Sequence, residues 1–261
     1  MGVIIEHLKG FIQYKSLLYE LVTRDIKVRY RRSVLGVLWT LLNPILMMII
    51  MTIVFSQLFR FEIENFPIYL FCGNIMFTFM ITATNDALQS ILGGASLIKK
   101  VYIPKYIFPV SKVLSAVVNL FFSYIAMLLV MIITGVRFHA TMLLTPLVAL
   151  YATLFSIGLG LILATIMVFF RDIAHLYSVF TTAWMYLTPI FYPESLLEDK
   201  SPLFLLLNPM YHYIKYMRDI TLYQTIPSFA ENMICLGVGL ITLVIGMAVF
   251  YKKQDKFILY I

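Results

Sequence analysis

The sequence predicts an all-α integral membrane protein with six transmembrane helices, and composition, charge spacing and the placement of basic residues each support it. Of 261 residues, 61% are hydrophobic and only 13% charged, whereas soluble domains average about 45–50% apolar and about 25% charged. Mean hydropathy is +0.91. The charges are clumped, leaving long uncharged runs at 33–59, 65–85, 113–136, 138–170, 173–193 and 232–251. A hydrocarbon core of roughly 30 Å takes about 20 helical residues, so each run is long enough to span. The expected spans cover about 34–59, 66–91, 110–135, 143–169, 173–192 and 230–251 of one domain, 1–261. With the N-terminus in the cytoplasm, basic residues concentrate inside: the seven before span 1, Lys99, Lys100, Lys105 and Lys112, Arg171, and Lys252, Lys253 and Lys256. Both termini are then cytoplasmic, and the net charge of +7 reads as topology and contact with anionic lipid headgroups.

Ahead of span 1, Leu8, Phe11, Ile12, Tyr14, Leu18, Leu21 and Val22 recur near helical spacing against Lys9, Lys15, Glu20 and Arg24. This predicts an amphipathic helix at the cytoplasmic interface, within an interface segment 1–33. The first apolar run begins only at Ser33, so no cleavable signal peptide is expected and span 1 stays as an anchor. The stretch GGASLIKKVYIPK at 93–105 carries a glycine stop, Ser96 as a candidate N-cap and Pro104 as terminator. It predicts a two-turn cytoplasmic helix, which is either a docking element or a plain positive-inside loop. Phe170, Arg171, Asp172 and Ile173 make a tight cytoplasmic turn.

Between spans 5 and 6, Ser201-Pro202 and Asn208-Pro209 each read as an N-cap followed by proline at the first helical position. Two short helices are expected within 201–223, re-entrant or interfacial in the outer leaflet. The second places Met210, Tyr213, Ile214, Met217 and Ile220 on one face. Ala152, Ser156, Gly160 and Ala164 form a small-residue ridge in span 4, suited to packing within the chain or to a dimer seam; Cys235, Gly239, Thr242 and Gly246 do the same in span 6. Pro44, Pro109 and Pro189 mark expected kinks.

The chemistry that is missing narrows function. No basic patch sits on a soluble domain, so nucleic acid is excluded as a partner. His7, His139, His175 and His212 are scattered, and Cys72 and Cys235 lie in apolar runs, so neither a catalytic nor a metal site is expected. Apart from Glu231 at the very start of span 6, Asp86 is the only acid in an expected span, too little for an ion-coupled carrier. With no G-x-x-x-x-G-K-[ST], ATP energy would have to come from a partner. Span 5 carries Tyr177, Phe180, Trp184 and Phe191 near one face. Such a face suits sugar rings, though aromatic stripes in membrane helices more often pack or face lipid.

Four stretches together carry a family resemblance: LVTRDIKVRYRRSVLGVLWTLLNP at 21–44, LIKKVYIPKYIFPVSK at 97–112, FRDIAHLYSVFTTAWMYLTPIFYP at 170–193 and LNPMYHYIKYMRD at 207–219. In this order on a six-span chain, they resemble the permease subunit of bacterial ABC type-2 polysaccharide exporters, nearer the O-antigen and wall-teichoic-acid branch than the capsule branch. The resemblance implies a homodimer in the cytoplasmic (inner) membrane above two separate ATPase subunits, which would hold ATP and Mg while this chain holds no cofactor. The cargo implied is a glycan on undecaprenyl diphosphate. By position, Lys27, Arg29, Arg31 and Arg32 would gate the cytoplasmic entrance. Ser96, Leu97, Ile98, Lys99, Lys100, Val101 and Tyr102, with Arg171 and Asp172, would couple to the ATPase. Aromatics of spans 1, 2 and 5 would line the channel, with Tyr177, Phe180, Trp184 and Phe191 as channel-lining candidates, and Asn208, Pro209 and Tyr213 would belong to the external gate. A permease for a drug or smaller lipid, and a membrane-embedded glycan-modifying enzyme, are the competing readings.

Overall fold

A computed structural model describes residues 14–30, 35–58, 63, 65–101, 103–198 and 202–261. The helices are α1 (Lys15–Tyr30), α2 (Trp39–Leu58), α3 (Phe66–Gly93), α4 (Ala95–Ile98), α5 (Ile107–Thr134), α6 (Thr145–Phe169), α7 (Ile173–Leu187), α8 (Ser195–Glu198), α9 (Pro202–Leu207), α10 (Pro209–Thr221) and α11 (Phe229–Lys253). There is no strand among the described residues. Among the described residues, four helical segments are long and apolar enough to cross a membrane: Phe66–Gly93, Ile107–Thr134, Ala140–Phe169 and Phe229–Leu259.

The other two expected spans are shorter. Helix α2 is apolar over Trp39–Val54. Helix α7 has 15 residues, a rise of about 22 Å, against an expectation of 173–192. The cause is local: Thr188 precedes Pro189, whose ring disfavours helical backbone in the residue before it, and Thr188 is extended at ψ 134°. Pro189 therefore ends the helix instead of kinking it. Pro109 lies in the first turn of α5, where a missing N–H breaks no helical bond, while Pro44 lies inside α2.

Helices α3, α5, α6 and α11 form the bundle, and glycines set how closely they pack. A Cβ on Gly158 would collide with the backbone of Thr242, and one on Gly246 with the backbone of Gly158, so α6 and α11 touch main chain to main chain. The small ridge of α11 thus packs within the chain. The ridge of α6 does so too on another face, where a Cβ on Gly160 would lie 2.8 Å from that of Ala87 on α3.

Two features differ from expectation at the coupling segment. Helix α3 runs on to Gly93, and α4 is a single four-residue turn entered from Gly94 without a side-chain cap; Ser96 lies inside it and caps nothing. Gly94 is required by close approach, since a Cβ there would meet the Phe108 ring at 2.6 Å. Helix α1 lies against the start of α5, burying Leu18 and Leu21 on Ile107 and Val110. Its Asp25 pairs with Lys112 at 2.8 Å. Leu8, Phe11 and Ile12 lie outside the described residues.

Helix α10 is more fully enclosed than a helix lying along a surface. Its expected apolar face is buried throughout, Met210, Tyr213 and Ile214 completely so, and Tyr211, Tyr216 and Arg218, which flank that face, are buried as well. It packs against α3, α6 and α11 inside the bundle instead of lying along a membrane surface.

Candidate functional site

One end of the bundle is defined by an apolar cluster of Ile91, Ile98, Phe108, Ala164, Val168, Phe250 and Phe257. This ties the end of α3, the α4 turn, the start of α5 and the ends of α6 and α11 together. The turns leading from α4 and from α6 therefore emerge on the same side. Ile98 is buried and anchors the α4 turn, Leu97 is half-buried, and Ser96, Lys99, Lys100 and Val101 point outward, Val101 being 51% exposed. Arg171 and Asp172 are exposed between α6 and α7. Tyr102 lies outside the described residues. Of the expected entrance cations, Lys27 is exposed on α1, whereas the Arg29 side chain and all of Arg31 and Arg32 fall outside the described residues.

Helix α7 carries the aromatic column. Tyr177 stacks on Phe180 with centroids 6.4 Å apart, and Phe180 meets Trp184 at 5.4 Å. Phe77 of α3 and Phe155 of α6 set edges against Trp184 at 6.0 and 6.5 Å. The column is not uniformly open. Tyr177 is buried with its hydroxyl 2.7 Å from that of Thr84, Phe191 is buried beyond the helix end, Trp184 is half-buried, and only Phe180, at 56%, is broadly exposed.

At the opposite end Asn208 joins three segments. Its side-chain oxygen accepts from the Met210 N–H at 3.1 Å, the N-cap bond expected from the sequence, and from the Trp184 indole at 2.8 Å. Its amide donates to Thr188 Oγ1 at 3.0 Å. Pro209 occupies the first turn of α10, and the Tyr213 hydroxyl donates to the Cys235 carbonyl of α11 at 3.1 Å. Asn208 and Trp184, assigned from sequence to different elements, are thus direct partners.

Arg218 is a further anchor, one to which no sequence motif assigns a role. It is 2% exposed, with its guanidinium 3.4 Å above the Tyr69 ring centroid. Its Nε donates to the Tyr69 carbonyl at 3.4 Å and its Nη2 to that of Ile190 at 3.2 Å. The Tyr69 hydroxyl in turn donates to the Tyr192 carbonyl at 2.9 Å. The arginine thereby ties the extended segment after α7 to the start of α3. Arg218 lies four residues past Ile214 on the buried side of α10, the one local signal that could have found it. Elsewhere on α10, burial lifts the Asp219 carboxyl to about 6. Burial opposes the Lys215 charge, but Glu231 at 3.2 Å outweighs it and holds the ammonium above its ordinary range. No group of three or more His, Cys, Asp or Glu placed to hold a metal ion occurs among the described residues.

The ABC-2 type transporter family matches residues 16–222, from the start of α1 to the end of α10. The chain belongs to this family. The ABC-2 chain is 32% identical to the O-antigen export system permease protein RfbA of Myxococcus xanthus over 255 residues, 97% of this chain and 98% of that protein. It is 27% identical to the protein of the same name from Klebsiella pneumoniae over 243 residues, 93% of each. It is also 23% identical to the capsule polysaccharide export inner-membrane protein CtrC of Neisseria meningitidis serogroup A over 247 residues, 93% of this chain and 92% of that protein. The α4 turn, the aromatic column and the Arg218 anchor all lie within the ABC-2 match.

Proposed function

We propose that this chain is the permease subunit of an ATP-driven exporter that moves a polysaccharide of the O-antigen or teichoic-acid kind, linked to undecaprenyl diphosphate, across the bacterial cytoplasmic membrane. The observation that carries the reading is end-to-end similarity to the M. xanthus O-antigen permease. In this reading α2 and α7 complete six spans, both termini are cytoplasmic, and the chain acts as a homodimer. Two ATPase subunits dock beneath, against the α4 turn and Arg171-Asp172, and bind ATP and Mg. Lys99 and Lys100 beside exposed Val101 offer a cleft both charge and an apolar contact. A polymer too long for an enclosed cavity moves stepwise through a continuous channel whose weak, repeated contacts hold sugars without trapping them.

The test is co-purification with the candidate ATPase and ATP hydrolysis in proteoliposomes, with and without a lipid-linked glycan. Glycan-stimulated hydrolysis is expected. A complex indifferent to glycan but stimulated by hydrophobic drugs assigns another cargo, and no complex overturns the ATP-driven exporter reading. Lys100→Glu with Val101→Asp should lower ATPase co-purification at least tenfold while the permease stays folded.

A further inference from the structure

Beyond α11 the chain turns as a 3-10 helix, Gln254–Leu259, and folds onto Phe257, whose carbonyl accepts from the N–H groups of Tyr260 and Ile261 at 3.0 and 3.1 Å. Three residues per turn bring positions i and i+3 to one side. Phe257 and Tyr260 therefore share a face, while Asp255, Lys256, Ile258 and Leu259 are exposed. Phe257 is fully buried. It packs edge-to-face with Phe250 of α11 at 5.2 Å and with Phe169 at 5.9 Å, and the Tyr260 ring meets Phe169 at 5.0 Å.

Phe169 is the last residue of α6, and Arg171 and Asp172 follow it directly after Phe170. Phe257 also belongs to the apolar cluster that buries Ile98 of the α4 turn, with Leu97 and Ile261 packed against that cluster. The two exposed turns read above as ATPase contacts are thus joined at their roots through one aromatic side chain. Neither turn is stiff by itself. Helix α4 is a single four-residue turn with no side-chain cap, and the link from α6 to α7 is shorter still. A push on Lys99 or Arg171 bends such a turn unless its root is fixed to the spans. Close-packed rings supply that fixation, because a packed interior is nearly incompressible and passes displacement on.

We propose that Phe257, with Tyr260, is a positioning residue for ATP coupling: it locks the α6–α7 turn to the α4 turn, so that one movement of the ATPase displaces both. The proposal rests on the exporter reading above. It gives the segment after α11 a part in transport, where topology alone gives it only Lys252, Lys253 and Lys256 to hold anionic headgroups.

The test measures glycan exported per ATP hydrolysed by the permease–ATPase complex in proteoliposomes supplied with a radiolabelled lipid-linked glycan. Phe257→Ala should lower that ratio about fivefold while ATPase co-purification stays within about twofold of wild type, and Phe257→Leu, which refills the site, should restore it. Tyr260→Ala, at an exposed position, should lower the ratio about twofold. A purely structural ring behaves differently: its loss reduces the amount of active complex, so export and hydrolysis fall together. An unchanged ratio in both alanine variants, whatever the thermal midpoint, therefore overturns the proposal. Where Phe257→Ala does not fold, the Tyr260→Ala ratio decides alone. A ratio that falls in phosphatidylglycerol vesicles but not in phosphatidylcholine vesicles assigns the segment to headgroup binding and also overturns it. A wild-type complex that hydrolyses ATP without exporting glycan removes the exporter reading, and the coupling role falls with it.

Discussion

Along α6 and α11 the two backbones touch at Gly158 and Gly246, whereas α7 packs sparsely on α3 and α6 and leaves most of its residues exposed. Both regions are strongly apolar. On α7 only Tyr177 and Thr181 are buried, and Leu176, Val179, Phe180, Tyr186 and Leu187 are exposed. The difference shows that hydrophobicity does not select partners among membrane helices; small residues do, by letting backbones approach. Helix α7 has bulky side chains where α11 has glycines, so it is held at its ends by specific bonds. Its N-terminal half is fixed by Tyr177 on Thr84, and its C-terminal end by Trp184 and Thr188 on Asn208.

Breaking the seam should have the largest effect. Gly158→Leu places a side chain in the backbone of α11, a loss of about 3 kcal/mol or more, and should abolish the monodisperse peak in detergent gel filtration. Gly237→Leu, on α11 where an added Cβ meets nothing within 4 Å, should leave that peak intact. Equal behaviour of the two would remove the seam as the basis of the fold. Arg218→Ala comes next, with about 2–4 kcal/mol lost because the Tyr69 and Ile190 carbonyls lose their donor and a buried void opens. Arg218→Lys should recover little, since a single ammonium cannot reproduce the planar fork. A wild-type thermal midpoint for either variant would refute the anchor.

Asn208→Ala tests the tie between α7 and α10, with an expected loss of about 1–2 kcal/mol from the helix cap and the Trp184 bond together. Trp184 fluorescence should shift in the same variant, because its indole loses its partner. Phe180→Ala should change stability least, by less than about 0.5 kcal/mol, as expected of an exposed side chain. A large drop in thermal midpoint would show that α7 is held along its length and would erase the contrast with the seam.

Much of this architecture can be read from local pattern. The spans expected from charge spacing place α3, α5, α6 and α11 to within a few residues, and Asn208-Pro209 marks the start of α10. The S-x-x-E of Ser228 and Glu231, also a local signal, forms the capping box of α11. Local pattern misleads where proline acts through its predecessor, as at Thr188, and where an amphipathic helix has a choice of environments. The apolar face of α10 suits a membrane surface as well as it suits a protein interior, and only the space among α3, α6 and α11 selects the interior.

Arg218 and Phe257 escaped the sequence for a common reason. The partner of Arg218 at Tyr69 is 149 residues away, and Phe257 looks like a lone apolar residue beside charges until α6 and α11 bring Phe169 to it. By itself, then, the sequence determined where the helices of the bundle run and that the chain lies in a membrane, because burial in lipid depends on local length and polarity. The tertiary structure alone decided which glycines meet, that α10 turns inward, and which polar side chains converge, because those follow from the rotation and approach of helices distant in the chain.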